Sequence, residues 1–246
     1  MTTKVAVIGA AGRMGSTACE AVEQAPDLEL VGRFDDGDEL GDLAGADVAV
    51  DFTVLEASER TVRHCVDRGV HVVVGTSGWT DDKAAELREQ VGADGGVGVL
   101  IAPNFAIGAV LMMQFARQAA RFYESVEVIE LHHPRKVDAP SGTATRTAEL
   151  VASARSEAGL GEVPDATTQD PDGARGATIE GVPVHAVRLR GLVAHQEVLF
   201  GNEGEMLTLR HDSFDRVSFM PGVLVGVREV GKHPGVTVGL EHVLGI

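Results

Sequence analysis

Cysteine is nearly absent from these 246 residues: only Cys19 and Cys65 occur. Two thiols so far apart exclude a disulfide framework, a CxxC redox pair and a thiolate zinc site, and such sparing use fits a reducing cytosol. No HExxH spacing occurs and no third ligand accompanies the His132-His133 pair, so no metal site is expected. Tyrosine occurs once, at Tyr123, with Glu127 rather than lysine four residues on, which excludes acid catalysis of the short-chain dehydrogenase kind. Long apolar runs are also missing. Glycines interrupt the amino-terminal MTTKVAVIGAAG before it reaches the length of a signal-peptide core, so the chain is expected to stay in the cytoplasm. The most apolar stretch, Val99 to Ala116, is broken by Pro103 and Asn104 and reads as a strand, a loop and a buried helix rather than a membrane span. Basic charge is scarce, 21 Lys and Arg against 37 Asp and Glu, giving a formal charge of -16. Such a surface repels nucleic-acid phosphates and anionic membranes, so neither is an expected partner.

What is present is a globular composition, 44% hydrophobic and 24% charged, long enough for two modest domains. From Lys4 to about Phe105, β-rich runs alternate with segments of helical period, the form of βαβ units around a parallel sheet. The expected strands are Val5 to Ile8, Leu28 to Phe34, Val48 to Phe52, Val70 to Val74 and Val97 to Ala102; the expected helices are Met14 to Ala25, Glu56 to Asp67 and Thr80 to Val91. The fold class is therefore α/β, a Rossmann-like doubly wound parallel sheet, plus a second α+β domain. In that second part helices are expected near Gly108 to Phe122 and Thr143 to Ala158, and strands at Val126 to His132, Val182 to Leu189, His195 to Gly201 and Glu205 to Arg210. Glycine turns suggest a mainly antiparallel or mixed sheet there. The tail carries a helical run near Pro221 to Glu229.

The first strand runs into Gly9, Gly12 and Gly15, and a glycine-rich strand-to-helix turn lets backbone N-H groups and a helix dipole approach a pyrophosphate. The spacing is GxxGxxG, with Ala11 where the usual fingerprint has its second glycine. A tight turn with no ligand is the alternative. Asp35 ends the second strand, where a carboxylate can accept from an adenosine ribose hydroxyl, although a solvated turn beside Gly37 would also use an aspartate. Asp36 follows where a cation would match a 2'-phosphate, so NADH should serve at least as well as NADPH; Arg13 and Arg33 work against that inference. Gly75-Thr76-Ser77-Gly78 and Ala102-Pro103-Asn104-Phe105 also follow strands, at the edge where open parallel sheets bind ligands.

The stretch ELHHPRKVDAPSGTA, Glu130 to Ala144, ends a strand and starts a helix. His132 and His133 exchange protons near neutral pH, Lys136 adds a cation, and Ser141-Gly142-Thr143 opens the helix with N-H donors. Together they make an anion pocket with an acid.

That run resembles the substrate-site signature of the dihydrodipicolinate reductases, bacterial enzymes of the diaminopimelate branch of lysine synthesis. VIGAAGRMG, DFT at Asp51 to Thr53, GTSGW at Gly75 and APNFAIG at Ala102 stand in the family's order, so the resemblance spans nearly the whole chain. Ser77 departs from the family's common GTTG, and Arg190 to Glu197 from its GGxVxxEH-like stretch. The resemblance implies that Gly9, Ala10, Ala11, Gly12, Arg13 and Met14 hold the pyrophosphate and Asp35 the ribose. It assigns the remaining cofactor contacts to Phe52, Thr53, Gly75, Thr76, Ser77 and Ala102 to Phe105. His132 would be the proton donor and Lys136 a second candidate donor. His133, Lys136, Ser141, Gly142 and Thr143 would bind a cyclic dicarboxylate, which NADH or NADPH would reduce after the hydroxy precursor loses water. It further implies residues 1–105 with 216–246 as the dinucleotide-binding domain, residues 106–215 as the substrate-binding and oligomerisation domain, and a homotetramer. A non-catalytic dinucleotide sensor and a dehydrogenase of another small acid are the competing readings; neither needs the PSGT loop beside His132 and Lys136.

Overall fold

A computed structural model of the chain describes residues 2–92 and 96–246. The chain forms two compact units, Met1–Ile107 with Arg216–Ile246, and Gly108–Asp215.

In the first unit β1 (Thr3–Ile8), α1 (Arg13–Gln24), β2 (Leu28–Phe34), β3 (Val48–Asp51), α2 (Leu55–Asp67), β4 (His71–Val74), α3 (Asp81–Val91) and β5 (Gly98–Ile101) alternate. Every residue of β3 and β5 is buried, because helices on both sides of a parallel sheet demand apolar residues on both strand faces. Thr80 precedes α3 rather than belonging to it: its hydroxyl accepts from the Lys83 N-H at 3.3 Å, and Asp81 and Asp82 then sit at the positive end of the helix dipole. Phe52 and Ala102, read as strand ends, lie just past β3 and β5, in the loops that face the ligand edge.

The second unit contains α4 (Ile107–Ala119), β6 (Ser125–His132), α5 (Gly142–Glu157), β7 (Ala177–Ile179), β8 (Val182–Arg188), β9 (Ala194–Asn202) and β10 (Glu205–Ser213). Its sheet has the order β10-β9-β6-β8-β7. Pairing is mixed: β6 and β8 run parallel while the other neighbours are antiparallel. The parallel pair follows from α5, which carries the chain back to the start of the sheet. Val126, Val128, Val184, Val198 and Phe200 pack against α4 and α5 residues such as Met112, Ala148 and Val151. The alternate positions of β6, Ile129 and Leu131, point to the opposite face.

After Arg216 the chain rejoins the first unit through α6 (Met220–Glu229), β11 (Gly235–Val238) and α7 (Glu241–Leu244). β11 pairs parallel with β5 and completes the order β11-β5-β4-β3-β1-β2. Neither β7 nor β11 is evident in sequence, since runs of three and four residues beside glycines fall below any periodic signal. The strand order reverses at β1, which pairs with β2 on one side and β3 on the other. This reversal opens a crevice beyond the carboxyl ends of β1 and β3.

Candidate active site

A cavity of about 630 Å³ occupies that crevice, lined by Gly9, Gly12, Asp35, Asp36, Phe52 and Thr53 among others. The glycines are required by close approach. A Cβ on Gly9 would lie 2.5 Å from the Phe52 carbonyl oxygen, and one on Gly15 would lie 2.0 Å from the Gly9 oxygen. Gly9 also has φ +79°, which side chains disfavour. Gly12 precedes α1 without a side-chain cap, leaving the positive end of the helix facing the turn. These residues fit a dinucleotide pyrophosphate.

Around this turn Ala10 is buried and Ala11 and Arg13 are exposed, while Met14 is half-buried. Asp35 folds over the turn, both its oxygens accepting from the Ala11 N-H at 3.0 and 2.8 Å. Arg33, a potential reader of a 2'-phosphate, is paired instead with Glu23 on α1 at 2.7 Å. Asp36, Asp38 and Glu56 line the cavity, and its cation Arg60 is bonded to Glu56 at 3.0 Å. The crevice is therefore acidic where an adenosine would sit.

The loops after β3 and β4 are held by a carboxylate. Asp51 is fully buried and accepts from the Thr53 hydroxyl at 2.7 Å, the Thr53 N-H at 3.2 Å, the Thr76 hydroxyl at 3.0 Å and the Ser58 hydroxyl. Trp79 donates its indole N-H to Ser58 at 3.1 Å. Burial pushes the Asp51 carboxyl up from its ordinary value despite these donors. Neighbouring Cys65 is pushed up to about 12 by burial and by Asp51, so it is an inert packing residue. The Thr76 side chain thus faces inward, and only exposed Ser77 faces solvent from that pair. Gly75 makes room for Phe52 and Phe105, whose rings meet edge to face with centroids 6.0 Å apart. Ala102 is buried, Pro103 is exposed, and the Asn104 side chain accepts from the Ala106 N-H at 2.8 Å.

In the second unit, β6 alternates Val126, Val128 and Glu130 on its inward face, so a carboxylate stands where the pattern calls for an apolar residue. Glu130 has no exposed surface. It bonds His132 Nδ1 at 2.6 Å, receives both Arg188 Nη atoms at 2.8 Å, and accepts from the Ser141 N-H at 3.1 Å. Burial raises the Glu130 carboxyl, but Arg188 and His132 outweigh it and hold the group below its usual value. For His132, burial lowers the imidazole pKa more than Glu130 raises it, with Lys136 and Arg188 adding to the lowering. Lys136 Nζ lies 2.7 and 2.9 Å from the Asp138 oxygens. His133 Nδ1 is buried and has no hydrogen-bond partner among the described residues, an unmet need that a ligand would satisfy.

Ser141 serves the helix. Its hydroxyl accepts from the Ala144 N-H at 3.2 Å, while Gly142 and Thr143 form the first turn of α5 at its positive end. Glu130, Asp138, Arg188 and Asp51 are among the members of these sites that sequence reasoning missed. The available signal was a charged residue at an inward strand position, at Glu130 and again at Asp51.

Among the described residues no three His, Cys, Asp or Glu side chains cluster so as to hold a metal ion, and no helix is long and apolar enough to cross a membrane.

The family model described as Dihydrodipicolinate reductase, N-terminus, matches residues 3–105, and that described as Dihydrodipicolinate reductase, C-terminus, matches residues 108–244. A 4-hydroxy-tetrahydrodipicolinate reductase of Cutibacterium acnes is 61% identical over 243 residues, 99% of each chain. One of Streptomyces griseus is 59% identical over 245 residues, 99% of this chain and 98% of the other. The solved structure of dipicolinate-bound dihydrodipicolinate reductase from Paenisporosarcina sp. TG-14 matches with TM-score 0.86 and 37% identity, over 98% of this chain and 99% of that one. An amine dehydrogenase of Mycobacterium smegmatis, at TM-score 0.63 and 15% identity, shares the fold alone. The chain belongs to the dihydrodipicolinate reductase family.

Proposed function

We propose that this chain reduces the cyclic dicarboxylate formed when 4-hydroxy-tetrahydrodipicolinate loses water, in the diaminopimelate route to lysine, using NADH or NADPH in the cytoplasm. The observation that carries this reading is the His132-Lys136-Gly142-Thr143 segment beside buried Glu130: an acid ending β6, a cation in the loop after it and the amino end of α5. No dinucleotide sensor needs such a segment.

In this reading Gly9 to Met14 hold the pyrophosphate and Asp35 exchanges the Ala11 N-H for ribose hydroxyls. Phe52, Thr53, Gly75 to Ser77 and Ala102 to Phe105 hold the other half. The bound nicotinamide supplies the hydride. His132 gives a proton to the ring from Nε2, while Gly142, Thr143 and His133 bind a carboxylate of the substrate. Lys136 leaves Asp138 to pair with substrate charge and serves as the second candidate donor. The acidic crevice favours NADH at least as well as NADPH, because Asp36 and Asp38 repel a 2'-phosphate and Arg33 is bound to Glu23. Residues 1–105 with 216–246 form the dinucleotide domain and residues 106–215 the substrate domain. Self-association into a homotetramer uses the sheet face that carries Ile129, Leu131, Leu199 and exposed Met206.

The test is oxidation of NADH and NADPH by the purified protein with substrate generated in place by a coupled dihydrodipicolinate synthase. Turnover supports the activity and ranks the cofactors. NADH binding without turnover would instead support the sensor or another small-acid substrate.

A further inference from the structure

Glu130 gathers groups from three places in the second unit. His132 lies two residues along the same strand, Arg188 comes from β8 in register with His132, and the Ser141 N-H comes from the turn before α5. A carboxylate only accepts hydrogen bonds, so the 2.6 Å contact requires His132 to carry a proton on Nδ1. Nε2, for which the described residues supply no partner, is then the atom that gains and loses the second proton.

His195 shows what the same contact does without a free nitrogen. Its Nδ1 is bonded to Asp212 at 2.7 Å, but its Nε2 accepts from the Val193 N-H at 3.2 Å, so both ring nitrogens are engaged. The two rings differ at the second nitrogen.

Resting on the reading of His132 as proton donor, we propose that Glu130 is the positioning residue of this site: it fixes the His132 tautomer, sustains its imidazolium, and locks the ring to the turn that heads α5. Opposing charges set the balance. Glu130 favours the imidazolium, whereas Arg188 on β8 and Lys136 in the following loop disfavour it. Asp138 faces both cations, bonding Lys136 and receiving the Arg188 guanidinium on its backbone carbonyl at 2.6 Å. Ala194, opposite His132 on β9, brings no charge.

The experiment is the pH dependence of kcat/KM, whose alkaline limb reports loss of the acid's proton. Glu130→Gln should move that limb to lower pH by about one unit, a tenfold loss of imidazolium at a given pH. Arg188→Met should move it the opposite way. Losing Glu130 leaves half-buried Arg188 without its carboxylate partner, so thermal unfolding is measured alongside, with NMR titration of the His132 ring in the ligand-free protein. If Glu130→Gln fails to fold, a His132 titration that does not rise in Arg188→Met overturns the proposal. Reduced kcat in both variants with an unmoved limb also overturns it, since that is what a purely structural role gives. His132→Gln separates the parent reading: wild-type kcat in that variant removes His132 as donor, whatever Glu130 does.

Discussion

His132 ends β6 and Lys136 lies in the loop after it, and they differ in what holds them, Asp138 for the lysine and buried Glu130 for the histidine. His132→Ala should lower kcat by about 10²- to 10⁴-fold, the usual contribution of a general acid, while NADH binding measured by fluorescence stays unchanged. Lys136→Ala should both lower kcat and raise KM for the dicarboxylate, because its cation meets substrate charge and also tunes the neighbouring acid. Wild-type rates in either variant would remove the role given to that residue. At the other site, Asp36→Arg should raise the NADPH to NADH ratio of kcat/KM by about tenfold, one new charge-assisted contact with a 2'-phosphate. His132, His133 and Lys136 are legible in sequence because the chain itself makes them neighbours. Arg188 is not: it reaches Glu130 only through the parallel register that sets His132 beside it, 58 residues on from Glu130.

The glycine turn, β1, α1 and β2 are readable because period, glycine spacing and the aspartate at the end of β2 agree. The loops after β3 and β4 were legible as positions but not as a unit, since Asp51 joins them through side chains from three segments. Asp51→Ala strands those donors. Each donor left buried without an acceptor costs about 1–3 kcal/mol, so urea unfolding should show a lower midpoint and NADH should bind more weakly. Unchanged stability would mean that water replaces the carboxylate. β7 and β11 stayed hidden for a different reason: short strands are defined by their neighbours, and β11 acquires its neighbour only when the tail returns to β5.

Across the molecule three shifted histidines and most of the shifted carboxylates tilt stability the same way. His71, His132 and His211, lowered first by burial from 6.5, stabilise the fold fully above that value and lose the contribution as pH falls through their folded values. Glu127 and Glu130 repeat this below 4.5, where burial is overcome by arginine and histidine partners. Asp51 runs the other way, its contribution complete below 3.8 and lost as pH rises through its raised value. The melting temperature should therefore fall in two stages on acidification from pH 7, gently below about 6.5 and steeply below about 4.5. A flat profile between 7 and 5 would show that His71, His132 and His211 carry no linkage. The order of the chain has a consequence during translation. β11 leaves the ribosome after the second unit, so until that entire unit has been synthesised β5 remains a bare, wholly apolar edge. At about 5–20 residues per second that exposure lasts for seconds. The second unit, contiguous in sequence, has all five strands of its sheet available first, and the nascent first sheet is the surface a chaperone would have to shield.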